Sequence, residues 1–172
     1  IYGLLAGETQ PEHIEVGTAP GEAGPTRLLP QVSFSDVTAL LEHLAATPDA
    51  RCDIYHLADE LGVDSDQLLR ATEAAELLGL ATVTAGDILL TPLGEAMAEA
   101  SITARKEIAA TRVRRLPMVR WAINMLRAAD THSLNLDVLE TALELYLPGE
   151  EVRRQLSTLI DWGRYAELFS YD

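Results

Sequence analysis

From Phe34 onward, apolar side chains return every three or four residues. Phe34, Val37, Leu40, Leu41 and Leu44 fall on one helical face, and Pro48 breaks the run. The next stretch, RCDIYHLADELGV, places Ile54, Leu57, Ala58 and Leu61 on a short helix that Gly62 closes. DSDQLLRATEAAELLGL supplies another, with Asp64 or Ser65 as N-cap, an apolar face of Leu68, Thr72, Ala75 and Leu78, and Gly79 at its end. The period then changes. ATVTAGDILLT alternates around Val83, turns at Ala85-Gly86-Asp87 and resumes at Ile88, which predicts a hairpin over residues 81–90. Thr91-Pro92 opens a further helix, with proline at its first position.

Three helices, a hairpin and a helix in about 65 residues follow the order of a winged helix, a helix-turn-helix variant. The second half predicts helices near 102–115, 117–129 (Met118, Trp121, Ala122, Met125, Ala129), 135–146 and 149–162, then a strand over Tyr165–Tyr171 after Gly163. Arg70–Gly79 and Arg154–Gly163 both read as helix, terminal glycine, then strand. A second winged helix and a plain helical lobe therefore both fit the C-terminal half. Residues 8–33 hold Pro11, Pro20, Pro25 and Pro30 with Gly7 just before and Gly17, Gly21 and Gly24 among them, a density that opposes helix and central strand alike. The expected organisation is mainly α: a linker or arm over 1–33, a winged-helix-like lobe of three helices plus hairpin over 34–100, and a second helical lobe over 101–172 ending in a short strand.

Composition narrows the class. The chain has 172 residues, 48% hydrophobic and 23% charged, with mean hydropathy +0.06, values of a folding, globular chain. No apolar run approaches a membrane span, and IYGLLAGETQ lacks the basic head of a signal peptide. A start at Ile1 without methionine points to a piece cut from a longer chain or to processing. The lone Cys52 has no second thiol for a disulfide or a CxxC site, which suits a reducing compartment. Thirteen Lys and Arg face 27 Asp and Glu, for a net charge of −14 and a pI near 4.6. The excess is local: residues 34–100 carry Arg51 and Arg70 against 13 acids, whereas residues 101–172 carry ten charges of each sign. Such a balance disfavours nucleic acid and anionic lipid.

Candidate chemistry is thin. His13, His43, His56 and His132 lie in separate segments without HxH, HExxH or HxxxH spacing, so no metal is expected. Neither GxxxxGK[ST] nor GxGxxG occurs, so no nucleotide cofactor is expected. Cys52 with His56 four residues on can be drawn as a nucleophile pair, but an ordinary thiol at a helix start is the better reading. The acid pairs Asp59-Glu60, Asp64-Asp66 and Glu150-Glu151 sit where solvated faces and helix N-termini favour them. No catalytic residue is assigned. The presumed recognition helix, residues 64–78, carries Asp64, Asp66, Glu73 and Glu76 against Arg70, which would repel DNA. The one basic cluster, Arg105, Lys106, Arg112, Arg114 and Arg115, is expected to pair within the chain.

LLPQVSFSDVTALLEHL, then DIYHLADELGVDSDQLLRATEAAELLGLATVTAGDILLTPLGEAMAEA, then IDWGRYAELFSYD together resemble the C-terminal AAA-associated domain. That domain is attached to ATP-binding subunits of ABC importers of the nitrate, sulfonate, taurine and bicarbonate type. The resemblance covers about residues 28–172, and DWGRYAELF after an amphipathic helix is its most distinctive part. It implies a non-catalytic regulatory or assembly role at the cytoplasmic face of a transporter, with the ATP-binding domain of the same subunit or a second copy as partner. A free-standing winged-helix regulator that binds DNA is the alternative. Trp162, Tyr165, Phe169 and Tyr171 are four of nine aromatic residues. Trp162 and Phe169 are expected to close the core of the second lobe; Arg164, Tyr165 and Tyr171 are the candidate docking edge, on the argument that the final strand leaves one side unpaired.

Overall fold

The computed structural model describes residues 27–172. After residues 29–33, helix α1 (Phe34–Ala46) leads through a 3-10 turn (Pro48–Ala50) into strand β1 (Arg51–Asp53). Helices α2 (Ile54–Leu61) and α3 (Ser65–Leu77), strands β2 (Ala81–Thr84) and β3 (Asp87–Leu90), and helices α4 (Pro92–Glu99) and α5 (Ile102–Val113) follow. Then come α6 (Pro117–Ala128), α7 (Leu136–Leu143) and α8 (Gly149–Tyr165). The chain is mainly helical with one small antiparallel sheet, and among the described residues no helix is long and apolar enough to cross a membrane.

Two compact units form, one of residues 29–114 with 157–172 and one built around residues 115–156. In the first, Val37, Leu41 and Leu44 on α1, Leu57 on α2, Ala74 and Ala75 on α3, Ile88 on β3 and Met97 on α4 are almost wholly inaccessible. On α1 and α3 the apolar face read from the sequence is the buried one, whereas on α2 only Leu57 and Ala58 are buried and Leu61 is exposed; α1 packs on α3, α4 and β3, and α2 packs on α3. In the second, Met118, Val119 and Ala122 of α6, Leu143 of α7, and Val152 and Leu156 of α8 are buried.

Helix starts follow the side chains that precede them. The Ser33 hydroxyl accepts from the Asp36 amide at 3.1 Å, and the Asp53 carboxylate accepts from the Tyr55 and His56 amides at 3.0 Å each. Thr91 accepts from the Gly94 amide at 3.1 Å and donates to the Gly79 carbonyl at 2.7 Å, which ties the start of α4 to the end of α3. Gly79 takes φ +72°, and the Leu80 amide reaches back to the Ala75 carbonyl at 2.8 Å, the left-handed close expected of that glycine.

The sheet order is β1-β3-β2, with Cys52 opposite Ile88 and Val83 opposite Ile88 on the other side. The hairpin turns at Ala85-Gly86, both at positive φ, as expected. Strand β1 was not legible: three residues without full burial show no period. The strand expected over Tyr165–Tyr171 does not form. Helix α8 instead continues through Gly163 to Tyr165 and ends in a turn with Glu167 at φ +55°, so the apparent echo of Gly79 is not structural. Gly163 caps nothing; the ring of Phe169 lies where its Cβ would stand. The end of the proline-rich stretch is packed as well, with Leu29 and Val32 buried. The rest of that stretch, residues 1–26, lies outside the described residues.

Candidate interaction site at the C-terminal helix

The last turns of α8 carry the distinctive DWGRY run, and each position meets something different. The Phe34 amide, at the first turn of α1 where no intrahelical acceptor exists, donates to Asp161 Oδ2 at 2.7 Å. Trp162 is fully buried, and its indole N–H donates to the Val32 carbonyl at 2.9 Å. The Phe34 ring stands edge-on to Trp162 at a 5.8 Å centroid distance and stacks on Tyr165 at 4.3 Å and 25°. Phe34 is thus held by backbone and ring alike. Sequence reasoning placed Phe34 on the apolar face of its helix but missed its partner Asp161; an acid directly before a buried aromatic was the available signal.

Of the candidate residues, Trp162 and Tyr165 are brought together on Phe34. Phe169, half-buried, folds back onto Gly163. Arg164 is exposed and its guanidinium makes no hydrogen bond or ion pair among the described residues; Tyr171 is 47% exposed. The docking edge expected from an unpaired strand is therefore replaced by two exposed side chains on a helix end and a tail. Burial pushes the Tyr165 phenol above its usual range, while Arg105 and Lys106 pull it down and Glu42 pushes it up.

The basic cluster is largely consumed inside the unit. Arg105 pairs with Glu42 at 2.5 Å and donates to the Ala98 and Ala100 carbonyls at 2.6 and 3.1 Å. Lys106 pairs with Glu167 at 2.6 Å, and Arg112 donates to the Leu78 carbonyl at 2.8 Å, at the end of α3. On α3, Asp66, Leu69, Glu73 and Glu76 all face solvent, and the Glu76 carboxylate accepts from the Val83 amide at the sheet edge at 3.0 Å. That face is acidic where a DNA reader is basic.

The partner of His56 is a carboxylate, Glu60. His56 and His43 flank Glu60 at 3.3 and 3.4 Å. Burial, then the charges of Glu60, Asp53 and Asp87, push the Cys52 thiol up, away from the reactive thiolate. Among the described residues no group of three or more His, Cys, Asp and Glu converges as a metal site.

A family model for the C-terminal AAA-associated domain matches residues 55–172, from the first turn of α2 through the DWGRY run to the end. No curated protein and no solved structure matches the chain significantly. The matched span is well over half the chain and contains both the helix-hairpin-helix region and the C-terminal segment whose residues carried the sequence resemblance. The chain belongs to the C-terminal AAA-associated domain family.

Proposed function

We propose that this chain is a non-catalytic regulatory or assembly domain of an ABC importer ATP-binding subunit of the nitrate, sulfonate, taurine or bicarbonate type, acting by protein–protein contact at the cytoplasmic face of the membrane. The family match over residues 55–172 carries the reading. The helix-strand-helix-helix-hairpin order of residues 34–90 supports a winged-helix lobe, and the acid-lined exposed face of α3 favours a protein partner for it over a nucleic acid. Arg164 and Tyr171, exposed beside a buried aromatic core, are the side chains assigned to docking on the ATP-binding domain of the same subunit or on a second copy. A bias on the ATPase cycle then requires that this contact differ between the open and closed states of that domain.

Two measurements test the reading separately. The reading frame upstream of Ile1 should encode a GxxxxGK[ST] phosphate loop; its absence would sink the transporter assignment. In the full subunit, Arg164→Ala and Tyr171→Ala should leave the melting temperature unchanged while weakening association of this domain with the ATP-binding domain. Normal association of both variants would remove the docking assignment and leave the family membership standing.

A further inference from the structure

We propose that residues 29–34, the end of α8 and the tail after it form a single latch that opens and closes as one unit. The Phe34 amide and the Val32 carbonyl are held by Asp161 and Trp162, two consecutive residues, across sequence separations of 127 and 130. The two contacts join the same two short segments, residues 32–34 and residues 161–162, so displacing either segment loses both together. Loss of the first therefore weakens the second, which is positive coupling, and coupling is reciprocal.

The remaining contacts extend the unit to the tail. Phe34 touches both Trp162 and Tyr165, so a displaced lead-in segment uncovers both rings. Phe169 rests on Gly163, the Leu168 amide donates to the Gly163 carbonyl at 2.9 Å, and Glu167 is tied to Lys106. Closed, the latch leaves Arg164 and Tyr171 as its exposed side chains from the candidate set. Open, it presents Trp162, Phe34 and the apolar Leu29 and Val32 beside them. A partner that binds the aromatic face would thus select the open state and release the chain lead-in at residue 29, and this follows from contacts within one unit whether or not the importer reading holds.

Hydrogen exchange of the full chain, followed by NMR, tests the latch. Asp161→Ala removes the acceptor of the Phe34 amide outright, so the latch is read from the Trp162 indole N–H and the Leu168 amide, which should speed by one common factor, on the order of tenfold or more. The Thr91 amide, bonded to the Leu80 carbonyl, serves as the reference and should not change. Phe169→Ala, a milder change at a half-buried position, should act from the opposite end and speed the Phe34 amide by the same factor as the Leu168 amide. If only the Phe34 amide responds to Asp161→Ala, or Phe169→Ala leaves it untouched, the contacts are independent and there is no latch. If the Thr91 amide speeds up equally, the segment is ordinary core and the proposal fails.

Discussion

Trp162→Ala is the most severe single truncation available in the C-terminal segment. The side chain is fully buried, and its indole N–H serves the Val32 carbonyl. Truncating a buried tryptophan costs about 3–5 kcal/mol through lost transfer energy and the cavity left behind. The Val32 carbonyl loses its donor as well, which adds about 1 kcal/mol if water does not replace it and places the expectation in the upper part of that range. Against a typical stability of about 5–15 kcal/mol, that is about a quarter or more of the whole. Urea unfolding read by far-UV circular dichroism measures it, since fluorescence would lose one of two tryptophans. Trp162→Phe separates the two parts by keeping a ring and losing the hydrogen bond. Arg164→Ala, one turn face away and exposed, should stay within about 0.5 kcal/mol of the parent. A Trp162→Ala midpoint within about 1 kcal/mol of the parent, at unchanged denaturant slope, would refute the placement of this ring in the core.

Gly163→Ala should destabilise by about 1–3 kcal/mol despite the better helix propensity of alanine, because its Cβ would enter the Phe169 ring. In a Phe169→Ala background the same change should become neutral or favourable, and additive costs in the double-mutant cycle would refute the contact. Cys52 should label slowly with a maleimide at neutral pH and faster as pH rises past the ordinary thiol range, since burial and three carboxylates disfavour the thiolate; labelling at the rate of an unstructured thiol would contradict this. The raised Tyr165 phenol keeps its proton in the fold after the unfolded chain has lost it, so its contribution is intact below about pH 10 and is lost as pH climbs through the folded value. Tyr165→Phe should therefore flatten the alkaline loss of stability, and an unchanged alkaline limb would count against the assignment. Duplex DNA should bind weakly and without sequence preference, and a sub-micromolar gel shift at ordinary salt would revive the DNA-binding alternative.

Helices α1 and α3 were legible because one buried stripe leaves a period that single residues cannot disguise: Phe34, Val37, Leu40, Leu41 and Leu44 on α1 are all buried, as are Leu68, Thr72 and Ala75 on α3. The hairpin was legible from its turn chemistry at Ala85-Gly86. What failed depends on contacts distant in sequence. Strand β1 exists because β3 lies beside it, and its own three residues, none of them buried, carry no trace of that. Gly163 resembles Gly79 in sequence, since both follow an amphipathic helix. One glycine answers a backbone at φ +72°, whereas the other makes room for a ring six residues on. Local pattern cannot separate the two uses. The aromatic density of the C-terminal segment was a sound pointer to burial at Trp162, but its acceptor, Val32, and the partner of Asp161 lie some 130 residues upstream and outside any window.

The charge asymmetry has a structural cause that bears on recognition. Arg105 and Arg112 could neutralise acids, yet both direct donors to carbonyls at helix ends, Ala98 and Ala100 at the end of α4 and Leu78 at the end of α3, where a cation also meets the negative end of the helix dipole. Arg51 is taken by Asp87 across the sheet. Arg51, Arg105 and Arg112 are thus engaged in holding elements together. On α3, Asp66 and Glu73 face water on either side of Leu69, one turn before and one turn after it, with no cation of the described residues paired to them. A surface that meets this helix must bring its own positive charge or leave carboxylates desolvated at a cost, and its association must weaken as salt rises. The same arrangement that stabilises the helix ends therefore leaves Asp66 and Glu73 on the exposed face of α3 without an ion pair among the described residues.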